Sequence, residues 1–173
     1  MDQSWKKEAA EDIARFHLPA YRDIPDIGLF LEQTAQYINS CFRPLAELAI
    51  TPSMISNYVK RHLIDSPSKK LYSREQIAQL MFITVAKSVL SLEELQAIFR
   101  LQQRSYSSQV AYDYFTQELE NVLQFVFGLK AELDTVGVEN SEEKTLLRNT
   151  IIAVAHRVYL ATCLRSYLAE EDA

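Results

Sequence analysis

Glycine is nearly absent from this 173-residue chain, which has three, and four of its five prolines fall before Ser53. Such long stretches without breakers favour an almost wholly helical fold. Cysteine is equally scarce. Cys41 and Cys163 have no metal-type spacing and form no disulfide framework. They suit a reducing cytoplasm, each as a small buried hydrophobe. His17, His62 and His156 are scattered, and none sits with carboxylates or cysteines at ligand spacing, so no metal or cofactor is expected. A glycine-rich phosphate loop and a nucleophile elbow are both missing. Glu8, Glu11 and Asp12 read as a solvated helix face rather than an acid–base pair, and the expectation is that the chain is not an enzyme. The N-terminus MDQSWKKEAAED is charged and lacks the apolar core of a signal peptide. The most apolar run, LYSREQIAQLMFITVAKSVL, is broken by Arg74, Glu75 and Lys87 and cannot span a bilayer. What remains is a soluble, cytoplasmic helical protein with no membrane partner, long enough to bury a real core.

Positive charge is present but concentrated. Between Thr51 and Arg74 the cations are Lys60, Arg61, Lys69, Lys70 and Arg74 against the single acid Asp65, a balance of +4. The whole chain carries −5, so the remainder carries −9. A module that meets phosphates must gather cations locally, because each neutralised phosphate releases counterions and adds affinity. An acidic remainder limits indiscriminate binding to nucleic acid.

Local signals divide the chain into helices. In residues 4–16, Trp5, Ala9, Ile13 and Phe16 recur at helical spacing, with Ser4 placed to cap them. Pro19 and Pro25 force a connection. From Asp26 a second helix is predicted to carry Ile27, Phe30, Leu31, Thr34, Tyr37, Ile38 and Cys41 on one stripe and to stop before Pro44, and Leu45 to Ile50 can add another turn or two. Thr51-Pro52 is a helix start: threonine caps, and proline in the first turn forfeits no needed hydrogen bond. Over residues 52–62, winding places Met54, Ile55, Tyr58, Val59 and His62 on one arc and Ser53, Ser56, Asn57, Lys60 and Arg61 on the other. The second set consists of short polar and long cationic side chains, the types that bond base edges and phosphates in a groove. After Leu63-Ile64, residues 65–72 predict a short two-stranded wing packed on a helix. Ser73-Arg74-Glu75-Gln76 and Ser91-Leu92-Glu93-Glu94 are capping boxes that open helices to about Val89 and Gln103.

Beyond the serine-rich stretch 105–108 the pattern changes. Phe115, Leu119, Val122, Val126, Leu129 and Leu133 step alternately by four and three, a coiled-coil seam, with Gly128 inside it at a cost of about 1 kcal/mol. Residues 134–140 read as a loop, and Ser141 caps a last helix whose seam is Leu147, Ile151, Val154, Val158 and Ala161. Two seamed helices around a loop form an antiparallel pair. It either buries itself on the preceding module or offers its seam to a second subunit. The aromatic cluster of Tyr106, Tyr112, Tyr114, Phe115, Phe125 and Phe127 reads first as core packing; the ligand reading is a pocket for an apolar or cationic effector, with Tyr106, Tyr112, Tyr114 and Phe115 as its walls.

The order of Leu63-Ile64, a proline turn, Lys70-Leu71-Tyr72-Ser73, Leu80, Ile83 and Ser91-Leu92-Glu93-Glu94-Leu95 resembles the DNA-binding domain of the MerR regulators over residues 51–98. The phrase MISNYVK, then LI, then KKLYSRE also resembles an uncharacterised bacterial family with a MerR-like winged helix, over about residues 20–165. Ser56 and Asn57 stand where MerR recognition helices carry arginine and tyrosine, and His62 stands at the glycine before Leu-Ile. The resemblance implies an all-α fold: a winged helix-turn-helix with a short β-hairpin wing, followed by the C-terminal antiparallel helical pair. The expected division is residues 1–25, a MerR-like DNA-binding module over 26–104, and a dimerisation and effector region over 105–173. By position, Ser53, Ser56, Asn57, Lys60 and Arg61 face double-stranded DNA from the recognition helix, Lys69 and Lys70 from the wing, and Arg74 touches the backbone. Tyr58 and Tyr72 either pack the hinge between helix and wing or contact phosphate. The function so implied is a homodimeric transcriptional regulator; the alternatives are a winged-helix adaptor for a protein partner and a small-molecule sensor.

Overall fold

Seven helices account for most of the described residues, 4–137 and 141–171, of the computed structural model. In chain order they are α1 (Ser4–Arg15), α2 (Leu31–Cys41), α3 (Pro52–Lys60), α4 (Arg74–Ala86), α5 (Leu92–Ser105), α6 (Ser108–Val126) and α7 (Glu142–Glu171), with one 3-10 turn at Tyr21–Asp23. The starts read from sequence are held as expected where the caps are local. The Thr51 hydroxyl accepts the Met54 N–H at 3.2 Å, Ser73 and Ser91 close their boxes with Gln76 and Glu94, and Ser141 accepts the Lys144 N–H. The cap expected of the Ser4 side chain and loop residues 138–140 lie outside the described residues.

At the centre is α4, apolar on every face rather than on a stripe. Ile77, Leu80, Met81, Ile83 and Val85 are fully buried; each contributes about 2 kcal/mol of burial. It packs against α2, α6 and α7, while α6 and α7 pack on each other. One contiguous core runs from Ile13 through α4 to Val158. The seam residues Phe115, Leu119, Val122, Ile151, Val154 and Val158 all lie in it, at most 2% exposed. That part of the seam is closed within the chain, whereas Leu129, expected to continue it, lies past the end of α6 and is 42% exposed. An ion pair with one buried member locks it: Glu118, fully buried on α6, accepts from Nε of the half-buried Arg148 of α7 at 2.6 Å.

Several expectations are corrected. Among the described residues there is no β-strand, so the β-hairpin wing is absent. In its place Leu71 N–H donates to Ser68 O at 2.9 Å around Lys69 and Lys70, which makes one isolated bridge. The physical reason lies on both arms of the turn. The next pair would join Pro67, which has no N–H, to Tyr72, whose N–H and carbonyl both bond Leu29 instead (2.8 and 3.1 Å). That long-range pairing also delays the second helix, which begins at Leu31 and not at Asp26. Gly28 takes φ +82° beside Leu71, and a Cβ there would lie 2.9 Å from the Leu71 Cβ. Ile27 and Phe30, expected on the buried stripe, are 87% and 53% exposed. Gly128 is not inside a helix: at φ +76° it ends α6, with Leu129 N–H returning to Gln124 O at 2.8 Å. Cys41 and Cys163 are free and half-buried rather than core.

Candidate nucleic-acid interface and aromatic cavity

The placement of α3 is set by the ten residues before it. Asn39 on α2 grips Ile50 through both of its backbone groups, donating to the carbonyl at 2.8 Å and accepting the N–H at 2.9 Å. Thr51 follows at once as the cap. Ile55 and Tyr58 then bury the inner face of the helix, with Met54 and Val59 half-buried beside them. Ser53, Ser56, Asn57, Lys60 and Arg61 are all exposed, as the winding predicts. The helix is shorter than read, ending at Lys60. His62, placed on the inner arc by periodicity, is instead exposed at φ +56°. It sits where the resemblance placed a glycine, and a left-handed residue is what that position requires. Gln96 of α5 donates to the Arg61 carbonyl at 3.2 Å and so holds this end of the helix.

Lys69 and Lys70 form the turn that replaces the wing. Both have positive φ, +50° and +66°. Two such residues in succession, closed by the Leu71-to-Ser68 hydrogen bond, are the pattern of a type I′ turn, which asparagine and glycine fill at least cost. Lysine there costs about 1 kcal/mol or more at each position. The local energy therefore does not favour lysine at either position, and both side chains are exposed. Among the described residues Lys60, Arg61, Lys69 and Lys70 make no ion pair.

Arg74 is arranged differently. Its Nε donates to Ile24 O at 3.0 Å, its guanidinium lies 3.6 Å from Asp26 and it stacks 5.9 Å from the Tyr21 ring centre. It ties α4 to the N-terminal connection and is not grouped with the four exposed cations. Tyr58 and Tyr72 are buried, and burial raises both hydroxyl pKa values. Both belong to the hydrophobic core.

Tyr106, Tyr112, Tyr114 and Phe115 come together. All four line a cavity of about 400 Å³ bounded by α4, α5, α6 and the start of α7. Phe82 joins them, with its ring centre 5.4 Å from Phe115 and 5.7 Å from Phe99. Tyr112 forms the inner wall, donating toward Pro19 O at 3.0 Å, and burial raises its pKa strongly. Phe125 and Phe127 lie elsewhere: Phe127 packs on Tyr159 at 5.3 Å. What sequence reasoning missed is the cavity's charge. Glu75 comes from the first turn of α4, Asp113 from α6 and Glu143 from α7, and only the tertiary fold assembles them.

The family model of a domain of unknown function, DUF1836, matches residues 19–115, more than half of the chain, and the chain belongs to that family. No curated protein matches the chain, and no solved structure matches it. The matched span contains α3, the lysine turn, α4 and α5, and stops within α6; α7 lies beyond it. Among the described residues no helix is long and apolar enough to cross a membrane.

Proposed function

We propose that the chain is a cytoplasmic, non-catalytic transcriptional regulator that binds double-stranded DNA, with α2 and α3 as a MerR-like helix-turn-helix. The observation that carries this reading is the outer face of α3, where Ser53, Ser56, Asn57, Lys60 and Arg61 are exposed together with no competing ion pair. A major groove admits one helix. Asn57 has the donor–acceptor pair that matches adenine, and the serines bond either base edge. Lys60 and Arg61 follow at the C-terminal end of the helix, suited to phosphates, and the Lys69-Lys70 turn supplies a second phosphate contact. Two copies would join along the outer face of α7. There Leu146, Ala153, Leu160 and Tyr167 recur every seven residues with Leu164 between, and the four larger side chains are 43% to 56% exposed. A two-fold dimer then fixes the spacing of half-sites. Selection of genomic fragments by the purified chain tests the reading: an enriched sequence that depends on Asn57 supports it, and no enrichment by a folded protein rejects it.

A second reading has its own observation. Ile27 and Phe30 are large, apolar and exposed, and they flank Leu29, which pairs with Tyr72 beside the lysine turn. An acidic protein partner with an apolar anchor would suit that surface, making the chain an adaptor. Such a partner would survive nuclease treatment in a pull-down and be lost on Ile27→Asp, whereas DNA binding would keep most of its affinity in that variant.

A further inference from the structure

We infer that the cavity between α4, α5, α6 and α7 is a binding site for an organic cation with an apolar body. Its volume of about 400 Å³ lies within the range of small-molecule sites. Rings stand among aliphatic side chains such as Ile98, Leu101 and Leu147: Phe82, Phe99 and Phe115 inside, with Tyr106 and Tyr114 half-exposed nearer solvent. Ring faces carry the negative part of the aromatic quadrupole and attract cations. The protein already makes that contact here, since the Lys144 ammonium lies 5.2 Å from the centre of the Tyr114 ring.

Charge decides between ligand classes. Glu75, Asp113 and Glu143 line the cavity against the single cation Lys144, a balance of −2. The chain already donates to all three: Glu75 accepts from the Ser108 hydroxyl, Asp113 from the Tyr21 N–H at 3.3 Å, and Glu143 from the Ser105 hydroxyl at 2.8 Å, from Ser141 and from its own backbone N–H. Among the described residues none of the three is neutralised by an ion pair. An anion entering this space is repelled. A neutral apolar molecule gains burial alone, whereas a cation gains burial, ring faces and uncompensated carboxylates together. This site stands apart from the reading of α3 as a DNA-binding helix. The two are nevertheless mechanically adjacent, because α5 lines the cavity with Phe99 and holds the Arg61 carbonyl with Gln96.

The test uses the full chain and no DNA, so its outcome is separate from that of the DNA reading. Calorimetry and thermal melting would compare (4-phenylbutyl)trimethylammonium with its uncharged tert-butyl isostere and with a phenylalkyl carboxylate of equal length. The cation should raise the melting temperature and bind about tenfold or more tighter than either analogue. Tyr114→Leu, which keeps apolar bulk without a ring, should weaken the cation by about tenfold. Glu75→Gln with Glu143→Gln should weaken the cation and leave the isostere unchanged. Equal binding of cation and isostere, preference for the carboxylate, no binding of the cation, or unchanged cation binding in folded Tyr114→Leu would each overturn the assignment.

Discussion

The outer face of α3 and the cavity behind Tyr106 are made of opposite materials. On α3 a short helix leaves its polar and cationic side chains in water, and the neighbouring turn accepts left-handed strain to display two more lysines. In the cavity, rings from three helices stand among aliphatic side chains, and the charges among them are mostly negative. Both regions depend on α4 and α5, whose buried residues are apolar except for Gln76 and Thr84, each hydrogen-bonded to a backbone carbonyl. Where a charge is exposed and unpaired it does little for folding, so its substitution should move binding rather than stability. Where a charge is buried, its partner holds the fold.

The largest effect should therefore fall on the inside. Glu118→Ala empties a fully buried site in the α6–α7 seam and leaves Arg148 with the Asp134 carbonyl as its partner; it should cost about 3 kcal/mol, read by urea unfolding. On the outside, reversing Lys60, Lys69 and Lys70 to glutamate should cut DNA affinity at least about 100-fold while stability changes by no more than about 1 kcal/mol. Gly28→Ala meets both the positive φ and the Leu71 side chain, and should destabilise by more than about 1 kcal/mol. The subtlest variant separates the two properties most cleanly. Lys69→Asn with Lys70→Gly fills the type I′ turn with its favoured pair and should raise stability by about 1 kcal/mol. The same change removes two cations and should weaken DNA binding by about tenfold. If it left binding untouched, the lysines would have no part in the interface.

These contrasts also explain which features were legible in the sequence. The starts at Thr51, Ser73 and Ser91 could be read because each cap is made within three residues. The exposed face of α3 could be read because Ile55 and Tyr58 fix its rotation. The missing hairpin could not, because Tyr72 is drawn away by Leu29, more than forty residues earlier in the chain. The same pairing hid the true start of α2 and the exposure of Ile27 and Phe30. Gly128 looked like a tolerated flaw in a heptad seam, and only its positive φ shows it to be a helix stop. In the cavity the aromatic cluster was visible as a run between Tyr106 and Phe115. Glu75, which faces Ser108 across the fold, carried no local sign of belonging with it.

The most direct measurement is the salt dependence of binding to a selected DNA duplex. With Lys60, Arg61, Lys69 and Lys70 each neutralising a phosphate, the logarithm of the association constant should fall against the logarithm of salt concentration with a slope of about −3.6 per protomer. Reversing the three lysines should flatten that slope. A folded protein that shows no salt-sensitive binding, or a slope indifferent to those lysines, would contradict a DNA-binding role for α3 and its turn.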